Sequence, residues 1–289
     1  MMRNCKHQLN FRLFLSLILI ASVTASAFAS EPTEYRFARA PQQSARATVE
    51  AWAPLLKRIS ADSGVTLKLM VYDSREKFEA DFLDGVPDFT FGNPLYAVMG
   101  RKRHGYQPIL RDDAHKLTGI IVVRADSGIR SVQDLAGKAV GFPGPNAMAA
   151  SLYPRALLSS KFGLTFRSVY LGVHENVYRS VFLGQVDAGG GVASTLDKEP
   201  AELRSQLRVL YETPGIVPHP LLAHPRVPKD VQKKIIDAVL ALVNDSAGQA
   251  LLAAVNFAKP VLADYERDYA DIERLNLESH RVKTGVGGD

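Results

Sequence analysis

Strand-length apolar runs alternate with segments of helical period along most of this chain, and that alternation leaves few folds open. Tyr35–Ala38 has strand character. Val49, Trp52, Leu56 and Ile59 then recur at spacings of three and four, which predicts a helix that Pro54 kinks or opens. Thr66–Tyr72 and Asp88–Phe91 are further strands with a helix, Glu76–Leu83, between them, and Pro94 suits the first turn of the next helix. Three strand–helix units in succession predict a parallel sheet covered by helices. The pattern then restarts. Thr118–Arg124 is a β-branched strand, Ser131 can cap a short helix holding Leu135, and Lys138–Phe142 is a strand ending in the turn Pro143-Gly144-Pro145. A helix over Ala147–Ser160, a strand over Ser168–Leu171, a helix over Val177–Leu183 and strands at Val186–Ala188 and Arg208–Glu212 complete a second unit. Thr213–Pro220 is a connector. Beyond Pro228, Val231, Ile235, Val239 and Leu242 trace a strong helix, and the chain is expected to stay mostly helical to about Leu275, with a coreless tail over Lys283–Asp289.

The restarts predict an α/β protein of two lobes joined by crossings near 116–122 and 211–220. Residues 30–118 with 219–289 would form one lobe and 119–218 the other. Open α/β sheets bind ligands at the carboxyl ends of their strands. Two such edges facing one another make a cleft that a hinge can close.

The first residues have a separate logic. Arg3, Lys6 and Arg12 precede an apolar run, Leu13–Val23, and Ala27-Phe28-Ala29 puts small residues before a cut at Ser30. This is the layout of a secretory signal peptide, and the run is short for a spanning helix. Export to the periplasm is expected. Of the 35 basic and 30 acidic residues, the leader takes three basic ones, so the mature chain holds 32 against 30. A near-neutral surface without a basic run gives no footprint for nucleic acid. The single cysteine, Cys5, falls in the leader, which leaves the mature protein no disulfide, thiolate nucleophile or cysteine metal site.

Several motifs in order add a resemblance. They are Trp52-Ala53-Pro54-Leu55-Leu56, Gly92-Asn93-Pro94-Leu95-Tyr96, Ile121-Val122-Val123-Arg124-Ala125-Asp126-Ser127-Gly128-Ile129, Asp134-Leu135-Ala136-Gly137-Lys138, Pro154-Arg155-Ala156-Leu157-Leu158, His174, and Val186-Asp187-Ala188-Gly189. Together they resemble the phosphate/phosphite/phosphonate-binding family of ABC-transporter substrate-binding proteins. The resemblance implies a type II, two-lobed, ligand-trapping periplasmic fold and a permease as partner.

Eight residues are candidates for ligand contact. Tyr96 follows a strand end and matches a family tyrosine; its phenol can donate to an oxyanion. Asn93, just before it, can donate or cap the helix. Arg75 follows the second strand, where the family often has an aromatic residue, and a guanidinium there can pair with an anion. Arg39, at the end of the first strand, is a weaker candidate on the same ground. Asn146 and Ala147 open a helix whose N–H groups suit an anion. The family places Ser/Thr hydroxyls at this loop; this chain has Asn146-Ala147-Met148-Ala149. His174 matches a family histidine at the ligand's oxygens. His219 stands about where aminophosphonate binders place an aspartate for the ligand amine, which argues for an anion and against an amine. Asp187, before three glycines, is expected to cap or brace.

The expectation is therefore a periplasmic binding protein, a monomer without cofactor or metal, that captures a small anion. Two other classes stay open: a sensor subunit that shows its closed state to a membrane receptor, and an enzyme on the same fold. No Gly-x-Ser-x-Gly or His-Glu-x-x-His motif supports the enzyme, and His115, His219 and His224 fit no standard metal spacing.

Overall fold

The computed structural model describes residues 34–41 and 44–282. The expected leader with its cut near Ala29, and the expected tail 283–289, lie outside them. The chain begins with β1 (Tyr35–Arg39), α1 (Ala45–Ser63), β2 (Leu67–Met70), α2 (Arg75–Leu83), β3 (Phe89–Phe91), α3 (Pro94–His104) and β4 (Gln107–Asp112). A second set follows: β5 (Ile120–Arg124), β6 (Ala139–Phe142), α4 (Tyr153–Ser160), β7 (Arg167–Tyr170), α5 (His174–Phe182), β8 (Ala188–Gly191), α6 (Ala193–Leu196), α7 (Ala201–Ser205) and β9 (Leu207–Glu212). The chain then adds β10 (Pro220–Ala223), α8 (Lys229–Ala241), α9 (Ser246–Ala254), β11 (Pro260–Leu262), α10 (Tyr265–Asp268) and α11 (Ala270–Arg274).

These strands form two sheets, a six-stranded one ordered β11-β4-β10-β3-β1-β2 and a five-stranded one ordered β7-β6-β8-β5-β9. β2, β1 and β3 are parallel, as three strand–helix units require. β10 then inserts antiparallel between β3 and β4. The chain passes from one sheet to the other twice, between β4 and β5 and between β9 and β10, and a bridge from Leu117 to Ile216 ties the two passages together.

Local chemistry explains the ends of the helices. The Ser44 hydroxyl accepts from the Ala47 N–H at 3.2 Å, and α1 stops at Gly64, whose φ of 68° is left-handed. The face of α1 carrying Trp52, Leu55, Leu56 and Ile59 is buried; Pro54 lies on the exposed face, where water can take up the carbonyl its missing donor leaves. Trp52 packs 5.2 Å from Phe37 and 4.9 Å from Phe91, ring centre to ring centre.

Several features differ from the sequence expectation. β4, β10 and β11 were not anticipated, and β11 interrupts a stretch expected to be helical. The helix expected over Ala147–Ser160 is a π-helical turn, Met148–Leu152, followed by α4. Pro154 accounts for this. It has no N–H for the Ala150 carbonyl and its ring would strike that oxygen, and a wider turn moves the carbonyl away.

The Ala150 carbonyl lies against β8. A Cβ on Gly190 would come within 2.3 Å of the Ala150 oxygen and 2.5 Å of the Phe142 ring, and one on Gly191 within 2.1 Å of the Tyr178 hydroxyl. The three glycines thus let the turn and α5 close onto the sheet. Gly190→Ala is expected to destabilise the protein by about 1–3 kcal/mol, with unfolding in urea as the measurement.

Candidate functional site

Four of the candidate residues gather at one end of the six-stranded sheet. Arg39 is the last residue of β1, Arg75 the first of α2 after β2, and Asn93 the N-cap of α3 after β3. His219 immediately precedes β10, and because β10 runs antiparallel beside β3, its start lies at the carboxyl end of that strand. The His219 ring stacks on Phe91 at 5.9 Å.

The electrostatics confirm how near these groups are. Burial, then the like charges of Arg39, His115 and Arg75, push the His219 imidazole down to about 4. Burial and Arg75 bring the Arg39 guanidinium down to about 10. Arg39 donates to the Ala40 carbonyl at 3.0 Å and Arg75 to the Pro41 carbonyl at 2.8 Å. This corner concentrates donors and positive charge.

Tyr96 is buried between Phe78 and Phe82, whose rings it meets edge-on at 5.2 and 5.3 Å. Its hydroxyl donates to Glu79 Oε1 at 2.8 Å, and Arg281 pairs with the other Glu79 oxygen. Burial, and then Glu79, raise the phenol's pKa, so it stays a neutral donor. Asn93 caps α3, its Oδ1 accepting from the Leu95 N–H at 3.0 Å. Sequence reasoning missed Glu79 and Arg281: one is an acid in a mixed-charge helix, the other lies 202 residues away, and neither carries a local signal.

On the other sheet, Ala147 opens the π turn and its carbonyl accepts from the Ser151 and Leu152 N–H groups at 2.8 and 2.9 Å. Asn146 is buried, and both ends of its amide bond the backbone of Val282, at 2.9 and 3.1 Å. His174 begins α5. Its Nδ1 lies 3.3 Å from the Thr195 hydroxyl, and burial lowers its pKa. His174 thus keeps to the helices of its own sheet, while Arg39, Arg75, Tyr96 and His219 form one group. Asp187 braces: its carboxylate accepts from the Ala139 N–H at 2.8 Å. A cavity of about 460 Å³ lined by Arg124, Asp134, Lys138 and Asp187 lies at the opposite end of the five-stranded sheet, away from this group. Among the described residues no cluster of three His, Cys, Asp or Glu could hold a metal ion.

The family model for the periplasmic substrate-binding protein of phosphonate ABC transporters matches residues 37–269. The chain belongs to this family. It is accordingly a two-lobed, type II periplasmic binding protein, the substrate-binding component of a phosphonate-type ABC transport system, which implies a small ligand and a permease. Solved structures share the fold at low identity. PhnD1 of Prochlorococcus marinus, in complex with methylphosphonate, superposes with a TM-score of 0.71 at 17% identity over 87% of this chain and 100% of that one. A binding-protein component of a phosphonate transporter from Pseudomonas aeruginosa gives 0.68 at 17% identity, over 89% and 91% of the two chains. A Xanthomonas citri protein bound to ATP gives 0.74 at 15% identity, over 86% and 98%.

The state of His219 generates a prediction. Its pKa in the folded protein lies below the unfolded value of roughly 6.5, so the unfolded chain takes the proton first as pH falls. The stabilisation is complete above pH ~6.5 and is lost as pH falls towards about 4, a change of up to about 3 kcal/mol. His219→Gln should flatten the pH dependence of unfolding in that window. Some slope should remain, because His224 is also pushed down to about 4 by burial and by Arg226.

Proposed function

We propose that the cleft between the lobes, 30–118 with 219–289 and 119–218, captures a small organic anion and passes it unchanged to the permease. The observation that carries this reading is the convergence of Arg39, Arg75 and His219 at the carboxyl ends of β1, β2 and β3. Glu79 reaches this group through Tyr96, and Arg281 offsets its charge. An anion entering this corner finds donors and net positive charge; an ammonium group finds repulsion.

The oxyanion head is held chiefly from the six-stranded side, by Arg75 and His219, with Tyr96 walling the pocket. Asn93 steadies the start of α3. From the five-stranded side, Ala147 contributes backbone and Met148 an apolar surface, and His174 lies further along that rim. The methylphosphonate complex of the Prochlorococcus protein supports an oxyanion as the class of ligand. The loop Asn146-Ala147-Met148-Ala149 has no hydroxyl for a third phosphoryl oxygen, and each buried oxygen without a donor costs about 1–3 kcal/mol. The preferred ligand is therefore an organic anion whose apolar part rests on Met148. Two passages between the sheets supply the hinge. The basic, apolar, small-residue order of the first 29 residues supports export with cleavage near Ala29.

Calorimetry on ligand-stripped protein tests the reading. Phosphate and 2-aminoethylphosphonate should bind with dissociation constants above about 1 µM, more weakly than the best member of a panel of alkylphosphonates and carboxylates. Arg75→Ala should weaken that best binder by roughly ten- to a hundredfold, the loss of one charge-assisted hydrogen bond. Tight binding of a simple cationic amine, with every anion inert, would overturn the assignment.

A further inference from the structure

Residues 277–282 touch the two lobes alternately. Leu277 is buried in the apolar cluster with Tyr269, between α10 and α11, and Ile272 of α11. Glu278 pairs with Lys102 of α3, on the six-stranded side, at 3.1 Å. The His280 carbonyl accepts from Arg155 of α4, on the five-stranded side, at 3.1 Å, and its ring lies 3.3 Å from the Ser160 hydroxyl. Arg281 returns to the six-stranded side and pairs with Glu79 of α2. Val282 goes back to the five-stranded side, where the Asn146 amide both donates to its carbonyl and accepts from its N–H.

The anchors on the five-stranded side are firmly set. Arg155 also donates to the Pro145 carbonyl at 2.5 Å and to the Ser151 hydroxyl at 3.2 Å, so one guanidinium ties the 144–147 loop to His280. Asn146 is 8% exposed, and a buried amide satisfied at both ends is costly to detach. The ion pair of Arg281 with Glu79 is likewise mostly shielded, with the two side chains 20% and 12% exposed.

We propose that residues 277–282 form a latch that holds the lobes together before any ligand arrives, and that opening the cleft requires its release. Separating the lobes stretches a short peptide whose successive residues are bonded to opposite sides, so it must detach from one of them. Detachment on the five-stranded side gives up the Asn146 pair and the Arg155 bond together, and frees the Asn146 amide at the loop that begins the π turn. The latch thus couples exposure of that loop to the position of the chain's own C-terminal segment. It makes no demand on which ligand the cleft accepts.

Small-angle scattering on protein unfolded and refolded to strip any ligand tests this directly. The wild type should give a compact radius of gyration. Asn146→Ala/Arg281→Ala, and a chain ending at Leu277 that keeps this buried side chain, should both give a larger one. Arg274→Ala, which breaks an exposed pair with Asp271 outside the latch, should match the wild type. Cooperative thermal melts identify the folded variants. A folded double variant with the wild-type radius would overturn the proposal, as would an equal increase in Arg274→Ala.

Discussion

Met148, Leu152, Tyr153 and Leu157 belong to the five-stranded half of the molecule, yet they are buried in the same apolar cluster as Phe78, Tyr96 and Leu277. Apolar surface removed from water is worth about 25 cal/mol per Å², and this shared cluster draws the halves together. It needs α4 close to its own sheet and at the right height. The three glycines of β8 and the widened turn before Pro154 provide that closeness. The aromatic packing around Tyr96 sets the opposite wall.

Polar groups at this junction are arranged by what burial permits. Neighbouring cations in a poorly hydrated corner repel, and the corner relieves this by keeping His219 neutral and by hydrogen-bonding Arg39 and Arg75 to backbone carbonyls. Glu79 takes a phenol on one oxygen and a guanidinium on the other, so its charge is engaged on both sides. Remaining affinity for negative charge is then a property of the whole corner rather than of one residue.

Much of this architecture was legible in the sequence, and the parts that were not share a physical cause. The period of α1, the β-branched run of β5 and the positions of Arg75 and Tyr96 after strand ends all follow from local pattern, whereas His219 was read as part of a connector and reaches the end of β3 only through β10. β10 and β11 have four and three residues, too few to show a period, and they exist only because partners far along the chain bond to them. β4 carries Pro108 and is bounded by polar residues, which hides it. The expected bracing by Asp187 holds, and so does the close approach allowed by the glycines, because both are demands of nearby backbone. Asn146 was read as opening a helix after the β6 strand, but its bonds to Val282 span 136 residues and could not be read from spacing. The π turn was not read, although Pro154 stands inside the expected helix and its effect on the preceding carbonyl is local.

The place of β10 governs how the molecule can be assembled. Every strand of the five-stranded sheet lies in one continuous stretch, from Ile120 to Glu212, so that half can pair as soon as its own residues are present. The six-stranded sheet cannot. Its first four strands are made early, but β3 and β4 are not joined into one sheet until β10 comes between them. Until then β3 and β4 each present an unpaired edge, a surface prone to join other chains. Long-range pairing of this kind is slow. An exported chain of this topology should therefore complete its first half last, and is most exposed to aggregation and proteolysis in the interval before residues 220–223 arrive.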